Sequence, residues 1–266
     1  MRFHKQFGYI LFVTLSFVGG AHAQNPREVL VKISSGTGFF INRNGDVVTN
    51  AHVVRNCQSI SIHTAAGDLP AALSTHDDAH DLALLHASGD VPAVAHLRAT
   101  TEDPQIGDTV FLVSFPNKIK LDYSTLIHTT HIIGPEADNV LLQFFHSIAS
   151  VFGGDSDPDY LQLAHVATSG DSGTPVLDRA GDVIGVVRGN LITNPVDSAT
   201  HQVHYEQVLD ESDVAISLGA LKYFLQDNHT LFDLSTDAGA DYRTAQLQEK
   251  ASAFVVPIRC VLGTVN

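Results

Sequence analysis

The chain is short of cations. Its 266 residues include 15 lysines and arginines against 29 aspartates and glutamates, for a formal net charge of −14 at pH 7. A surface this acidic repels phosphate backbones and anionic lipid, so a nucleic-acid partner is excluded and solubility is the plain meaning of the charge. Cysteine is almost absent: Cys57 and Cys260 are the only two, and they allow a single pairing. Beyond the first 23 residues no run is apolar enough to span a bilayer, so the mature chain should have no membrane span. Nor is there an internal repeat or an alternation of strand and helix periods, which argues against a β-α-β architecture. What remains is an ordinary globular composition, 44% hydrophobic and 17% charged, in a chain long enough for one or two compact units.

The first 23 residues, "MRFHKQFGYILFVTLSFVGGAHA", have the three parts of a secretory signal peptide. Arg2 and Lys5 give a positive start, an apolar run extends from Phe7 to Val18, and Ala21-His22-Ala23 supplies small residues at a cleavage site. Cleavage before Gln24 would remove two cations and no acid, moving the net charge from −14 to −16. The expected location is therefore periplasmic or extracellular. Export permits a Cys57–Cys260 bridge, which would tie the early part of the fold to the C-terminal tail.

Short apolar or alternating runs fill the rest. They include "EVLVKI" (28–33), "GTGFFIN" (36–42), "DVVTN" (46–50), "SISIHT" (59–64), "PAALST" (70–75) and "DLALLHA" (81–87). After a turn-rich stretch near 92–108 come "TVFLVSF" (109–115), "STLIHTTHII" (124–133), "NVLLQFFHS" (139–147), "YLQLAHVA" (160–167), "TPVLD" (174–178) and "DVIGVVRGN" (182–190). Many short strands in two sets of about six predict an all-β chain, a sandwich or barrels, with two similar β-subdomains joined near residues 92–108. "SLGALKYFLQD" (217–227) is the clearest helix, with Ser217 as its N-cap. Residues 226–266 form a C-terminal extension, weakly helical around "DYRTAQLQEKA", with a terminal strand over 253–263 that Pro257 demotes to an edge.

Candidate chemistry centres on "ATSGDSGTPV" (167–176), where Ser172 lies between Asp171 and Gly173. A serine hydroxyl needs a base to become a nucleophile. His52 in "VVTNAHVV" sits in a single helical turn after a strand, and Asp81 opens the buried run "DLALL", where it can orient the imidazole. Asp77 and Asp78 are rival orienters with a weaker context. The chain order His, Asp, Ser excludes the subtilisin order, and Thr174 breaks the G-x-S-x-G pattern of a nucleophile elbow.

Three blocks, "GTGFFINRNGDVVTNAHVV", "DLALL" and "GDSGTPVLDRAGDVIGVV", together resemble the trypsin-like serine peptidases of chymotrypsin fold over residues 28–225. The likeness is strongest to the exported bacterial branch that includes the HtrA/Deg proteases, and no PDZ domain is expected within residues 226–266, which are too short for one. The resemblance implies two six-stranded antiparallel β-barrels, about 28–91 and about 108–216, a catalytic triad of His52, Asp81 and Ser172, and an oxyanion hole made by the backbone N–H groups of Gly170 and Ser172. It also implies a substrate strand along Gly189 and a primary pocket lined by Val166, Ala167, Thr168 and Ser169, with Val187 and Arg188 on its wall strand. None of the four pocket residues is charged, and Val187 stands where glutamate-specific relatives have histidine. A small or medium apolar P1 residue is therefore expected, with Arg188 in reach of the next subsites.

The chain departs from the family at Thr174, where a third glycine is usual, and at Asp171, where the HtrA branch commonly has Asn. No "IVGG"-like start follows a basic residue, so Asp171 must find partners other than a new N-terminus, and no zymogen step is expected. The histidine pairs 128/131 and 201/204 are not read as metal ligands, because positions i and i+3 of a strand face opposite sides. No metal or cofactor is implied, and the expected partner is a polypeptide substrate. Two other classes stay open: a catalytically silent binding protein on the same fold, and an acyl-ester hydrolase.

Overall fold

Alternating and continuous apolar runs become strands wherever one face can be buried, and that requirement closes two barrels. A computed structural model describes residues 31–99, 104–115, 125–135, 159–168, 170–193, 210–236 and 239–264. Residues 1–23 and the run 139–147 lie outside this set.

The first barrel is built from β1 (Val31–Phe40), β2 (Asp46–Asn50), β3 (Ser59–Thr64), β4 (Gly67–Asp77) and β5 (Leu82–Ala87). A four-residue helix, α1 (Ala51–Val54), follows β2 directly. The second barrel uses β7 (Thr109–Ser114), β8 (Leu126–Pro135), β9 (Tyr160–Ala164), β10 (Pro175–Leu177), β11 (Val183–Thr193) and β12 (Asp210–Ser217), and closes through β10–β11. Two short strands extend this sheet in parallel, β6 (His96–Leu97) beside β11 and β13 (Asp233–Leu234) beside β6. After β12 come α2 (Leu218–Asp227), α3 (Thr244–Ser252) and β14 (Val255–Thr264). Ser217 caps α2 as expected, its Oγ accepting the Ala220 N–H at 3.2 Å.

Two strand expectations are revised. "EVLVKI" and "GTGFFIN" are not separate strands: from Val31 on they form the single strand β1, because Ser34 and Ser35 pair with Cys260 and Arg259 of β14 rather than turning. The first barrel thus draws only five strands from the region before residue 91, and its sixth is β14. Nor is β14 an edge. It lies between β1 and β3, with Ser34 and Ile60 flanking Cys260.

Pro257 is tolerated there for a geometric reason. Its partner Thr37 turns its N–H to the Ser172 carbonyl and its own carbonyl to Thr49 Oγ1. The Thr37–Pro257 pair is therefore of the non-hydrogen-bonded kind. The donor that proline lacks would face β3, whose pairing with β14 begins only at Ile258.

The Cys57–Cys260 disulfide is formed, with a Cα–Cα distance of 5.3 Å. The extension also enters the core. Leu247 and Ala251 of α3 and Phe254 pack with Phe39, Phe111, Phe224 and Leu225 between the barrels. Burial of Leu247 and Phe254 contributes about 1.5–3 kcal/mol each, so the C-terminal region acts as a brace.

Candidate active site

Asp81 stands just before β5 in a left-handed conformation, φ 59°, and grips the start of α1. Its carbonyl accepts Ala51 N–H at 3.1 Å and Asn50 Nδ2 at 3.0 Å. Its carboxylate takes the His52 backbone N–H on Oδ1 at 3.0 Å and His52 Nδ1 on Oδ2 at 2.7 Å. With Nδ1–H donating to the acid, Nε2 is left as the acceptor on a ring whose side chain is 44% exposed. The rival acids are engaged elsewhere: Asp77 accepts His80 Nδ1 at 2.6 Å, and Asp78 accepts Arg55 Nη2 at 2.9 Å. Burial pushes the Asp77 carboxyl up, but the His80 ring and the Ala79 and His80 amides outweigh it and hold it below the ordinary value.

Ser172 lies in a turn between β9 and β10 that is tied to both barrels. Thr37 of β1 donates its N–H to the Ser172 carbonyl at 2.9 Å and its Oγ1 to the Gly170 carbonyl at 3.2 Å. Gly173 has φ 85°, and a Cβ there would stand 2.0 Å from the Thr37 carbonyl oxygen, so only glycine fits. Thr174, by contrast, fits the place of a third glycine: it is buried, and its backbone pairs with Asp171 and Val187. Asp171 finds its partners within the turn. Its Oδ2 accepts Thr168 N–H at 2.6 Å and Thr168 Oγ1 at 3.0 Å, which satisfies the buried carboxylate without a new N-terminus.

The pocket-wall segment is pinned by a residue that the sequence did not single out. Asp213 of β12 accepts the amides of Val166 and Ala167 at 2.8 and 2.7 Å and His165 Nδ1 at 2.8 Å. The sequence left no usable signal for it, because "DESDVAIS" carries too many acids to read as a barrel strand. Thr37 was equally silent inside a quoted block. Ser169 lies outside the described residues.

The expected pocket-wall strand is the C-terminal half of β11. β10 covers it only as far as Val186, so beyond Val187 the described strands pair it on the β12 side alone. Val187 is buried, and Gly189 has nothing within 4 Å of where a Cβ would stand. Arg188 stands at an irregularity of this strand. The β11–β12 register steps from Val187↔Ala215 to Gly189↔Val214, leaving Arg188 in a bulge. Its Nε approaches Asp81 Oδ2 to 3.7 Å, and its carbonyl accepts the Ser172 hydroxyl at 3.3 Å. Among the described residues that carbonyl, not His52, is the hydrogen-bond partner of Ser172 Oγ. Asp81 and Ser172 thus both contact Arg188 of β11; the hydrogen bond between His52 and Asp81 is formed, and among the described residues none joins Ser172 Oγ to His52.

The family model of the trypsin-like peptidase domain matches residues 36–186, more than half of the chain, and the chain belongs to that family. Among relatives, it is 28% identical over 231 residues to the uncharacterized protein y4bJ of Sinorhizobium fredii (strain NBRC 101917 / NGR234), covering 85% of this chain and 32% of that protein. It is 30% identical over 155 residues to serine protease HTR4 of Rattus norvegicus, covering 58% of this chain and 29% of that one. It thus spans about a third of the length of these curated relatives. The fold is shared with solved structures. The inactive form of Rv3671c from M. tuberculosis H37Rv aligns with a TM-score of 0.50 at 22% identity, covering 74% of this chain and 84% of that one. The HtrA-type protease AlgW with decapeptide aligns at 0.51 and 18%, covering 72% and 50%.

Proposed function

We propose that this chain is a serine endopeptidase, made with a signal peptide over residues 1–23 and exported. The observation that carries the activity is the double grip of Asp81 on His52, backbone and ring together, beside a serine turn anchored by Thr37. Substrate would lie as an added strand on the uncovered edge of β11 near Gly189. Its arrival would compete for the Arg188 carbonyl and turn Ser172 Oγ toward His52; such bonds are often loose before substrate binds.

His52 Nε2 then takes the Ser172 proton as Oγ attacks the scissile carbonyl, and Asp81 stabilises the imidazolium. The N–H groups of Gly170 and Ser172 serve the developing oxyanion. Collapse passes the proton from His52 to the leaving amine and leaves an acyl-serine, which water activated by His52 hydrolyses. For P1 we propose a small or medium apolar side chain. Val166, Ala167 and Thr168 are uncharged, and the Asp213 carboxylate behind them is already taken up by two amides and His165.

The test is covalent labelling of the purified protein by a fluorophosphonate, with Ser172→Ala and His52→Ala as controls. Labelling that both substitutions abolish is the expected result. A folded wild type that resists the probe and cleaves no peptide library would overturn the reading in favour of a silent binding protein. Turnover of small esters with no peptide cleavage would favour an ester hydrolase.

A further inference from the structure

We propose that Arg188 is a specificity-determining residue, a guanidinium that selects an acidic side chain at P2, the substrate residue just before P1. This rests on the peptidase reading above, with substrate laid along the β11 edge.

The cation stands in the cleft with donors to offer. The bulge between Val187 and Gly189 takes Arg188 out of the β11–β12 ladder, a device that re-aims a side chain. The guanidinium reaches toward the first barrel, where its Nε lies 3.7 Å from Asp81 Oδ2. Its Cζ sits 5.2 Å from the centre of the Tyr160 ring, and the Tyr160 hydroxyl donates to the Ala79 carbonyl at 3.1 Å. The group is thus held in place, and the side chain is still 42% exposed. A guanidinium has five N–H donors, and among the described residues none accepts a hydrogen bond from those of Arg188. The approach to Asp81 is an ion pair at a distance too long for a hydrogen bond.

The backbone indicates which substrate residue comes near. Gly173 donates its N–H to the Val187 carbonyl at 2.9 Å, and the Ser172 hydroxyl meets the Arg188 carbonyl at 3.3 Å. The serine turn therefore faces Val187 and Arg188, the stretch opposite P1. A substrate strand antiparallel to β11 then runs back over Gly189, which puts no side chain in its path. Successive side chains of a strand point to opposite faces. With P1 in the pocket of the second barrel, P2 faces the first, where the guanidinium lies against Asp81.

The planar fork of Arg188 matches the carboxylate of Asp or Glu with two parallel hydrogen bonds, which an amide or an ammonium does not reproduce. The other cation beside the dyad, Arg55, already donates to Asp78 at 2.9 Å. Asp78 and Asp159 are exposed nearby and set a negative background, so only an acid in direct contact with Arg188 gains. For a partly exposed ion pair the gain is about two- to fivefold in kcat/KM.

The test compares kcat/KM for matched peptides that differ only by Glu against Gln, at P2 in one pair and at P3 in another. In the wild type the Glu/Gln ratio should be about two to five at P2 and about one or less at P3. Arg188→Gln should bring the P2 ratio to about one or less, Arg188→Lys should keep part of it, and added salt should shrink it in the wild type. Each ratio is taken within one protein, so any effect of a substitution on His52 and Asp81 cancels. A wild-type P2 ratio of about one or less, which needs no variant to measure, overturns the proposal, as does a ratio that survives in Arg188→Gln. Both of those results come from peptide cleavage and leave the peptidase reading standing. A folded wild type that neither reacts with a fluorophosphonate nor cleaves any peptide sinks that reading, and this inference with it.

Discussion

Replacing the bridge by Cys57→Ser with Cys260→Ala separates two contributions that hold β14 in the first barrel. The disulfide closes a loop with a sequence separation of 203 residues. Chain-entropy arithmetic sets an upper bound of about 5 kcal/mol for a loop of that length, and measured bridges commonly return about 2–4 kcal/mol. Alanine suits position 260 because the cysteine is fully buried, and a serine hydroxyl there would add a desolvation cost unrelated to the bridge. For a domain of this size each kcal/mol moves Tm by roughly 2–4 °C, so the expected fall is about 5–15 °C.

The strand itself should stay. Val255, Val256 and Ile258 are buried, and the ladder runs on both sides from Ile258 to Val261. The variant should therefore fold, keep its β-sheet circular dichroism and still react with a fluorophosphonate. Thermal unfolding by near-ultraviolet circular dichroism, with and without reductant, is the assay. A fall under about 2 °C would refute the loop-entropy reasoning. A variant that does not fold at all would refute the claim that burial and two-sided pairing suffice to hold β14.

Other substitutions test the nucleophile turn and a buried acid. Gly173→Ala drives a Cβ to 2.0 Å from the Thr37 carbonyl oxygen at φ 85° and should cost roughly 3 kcal/mol or more and abolish labelling; wild-type labelling and Tm would contradict the steric argument. Thr37→Val keeps the backbone bond to Ser172 but removes the Oγ1 donor to Gly170, and should slow fluorophosphonate labelling about tenfold with a modest loss of stability; an unchanged rate would show that the turn holds itself. Burial raises the Asp182 carboxyl above the ordinary value, the Ser235 bond opposes, and the Asp178 charge adds to the rise. The folded state then binds that proton more tightly than the unfolded chain, so the charged form costs stability at neutral pH and the cost fades as pH falls through the raised value toward the ordinary carboxylate one. Asp182→Asn should accordingly raise Tm by roughly 2–4 °C at pH 7, with the gain shrinking toward pH 4, and a gain that grows on acidification would reverse the assignment.

Most strands of both barrels and the turn carrying His52 are legible because their signals are local. "DVVTN", "SISIHT" and "LALLHA" each bury one face within a few residues of a turn, and the strand bounds match the runs closely. Ser172, His52 and Asp81 stand out as candidates because each sits at the end of such a run. Long-range pairing leaves no local trace. Residues 253–263 read as a strand, but Pro257 pointed to an edge, since the sequence does not reveal that Thr37 directs its backbone groups toward Ser172 and Thr49. The replacement of a separate N-terminal strand by β14 depends on register across the whole chain. The bulge at Arg188 is likewise a property of the β11–β12 pair and not of "GVVRGN" alone.

The acidic excess holds the least legible part of the site. By composition it means solubility, and for most of the 29 carboxylates that meaning stands. Three of them are buried at the site instead: Asp81 is 7% exposed, Asp171 2% and Asp213 0%. Each accepts backbone N–H groups from a segment that places a functional group. Asp81 takes the amide of His52, Asp171 that of Thr168, and Asp213 those of Val166 and Ala167. A carboxylate is suited to this because its two oxygens can accept several donors at once, and the donors in turn make its burial tolerable. A neutral amide could accept fewer and would bury donors of its own. The candidate base, the candidate nucleophile turn and the expected pocket wall are thus positioned by one device used three times, on segments outside the strand ladders. Sequence pattern exposes Asp81, which precedes an apolar strand, and the family resemblance draws notice to Asp171; Asp213 lies among other acids in "DESD", and its contacts appear only once β12 is paired behind the expected pocket wall.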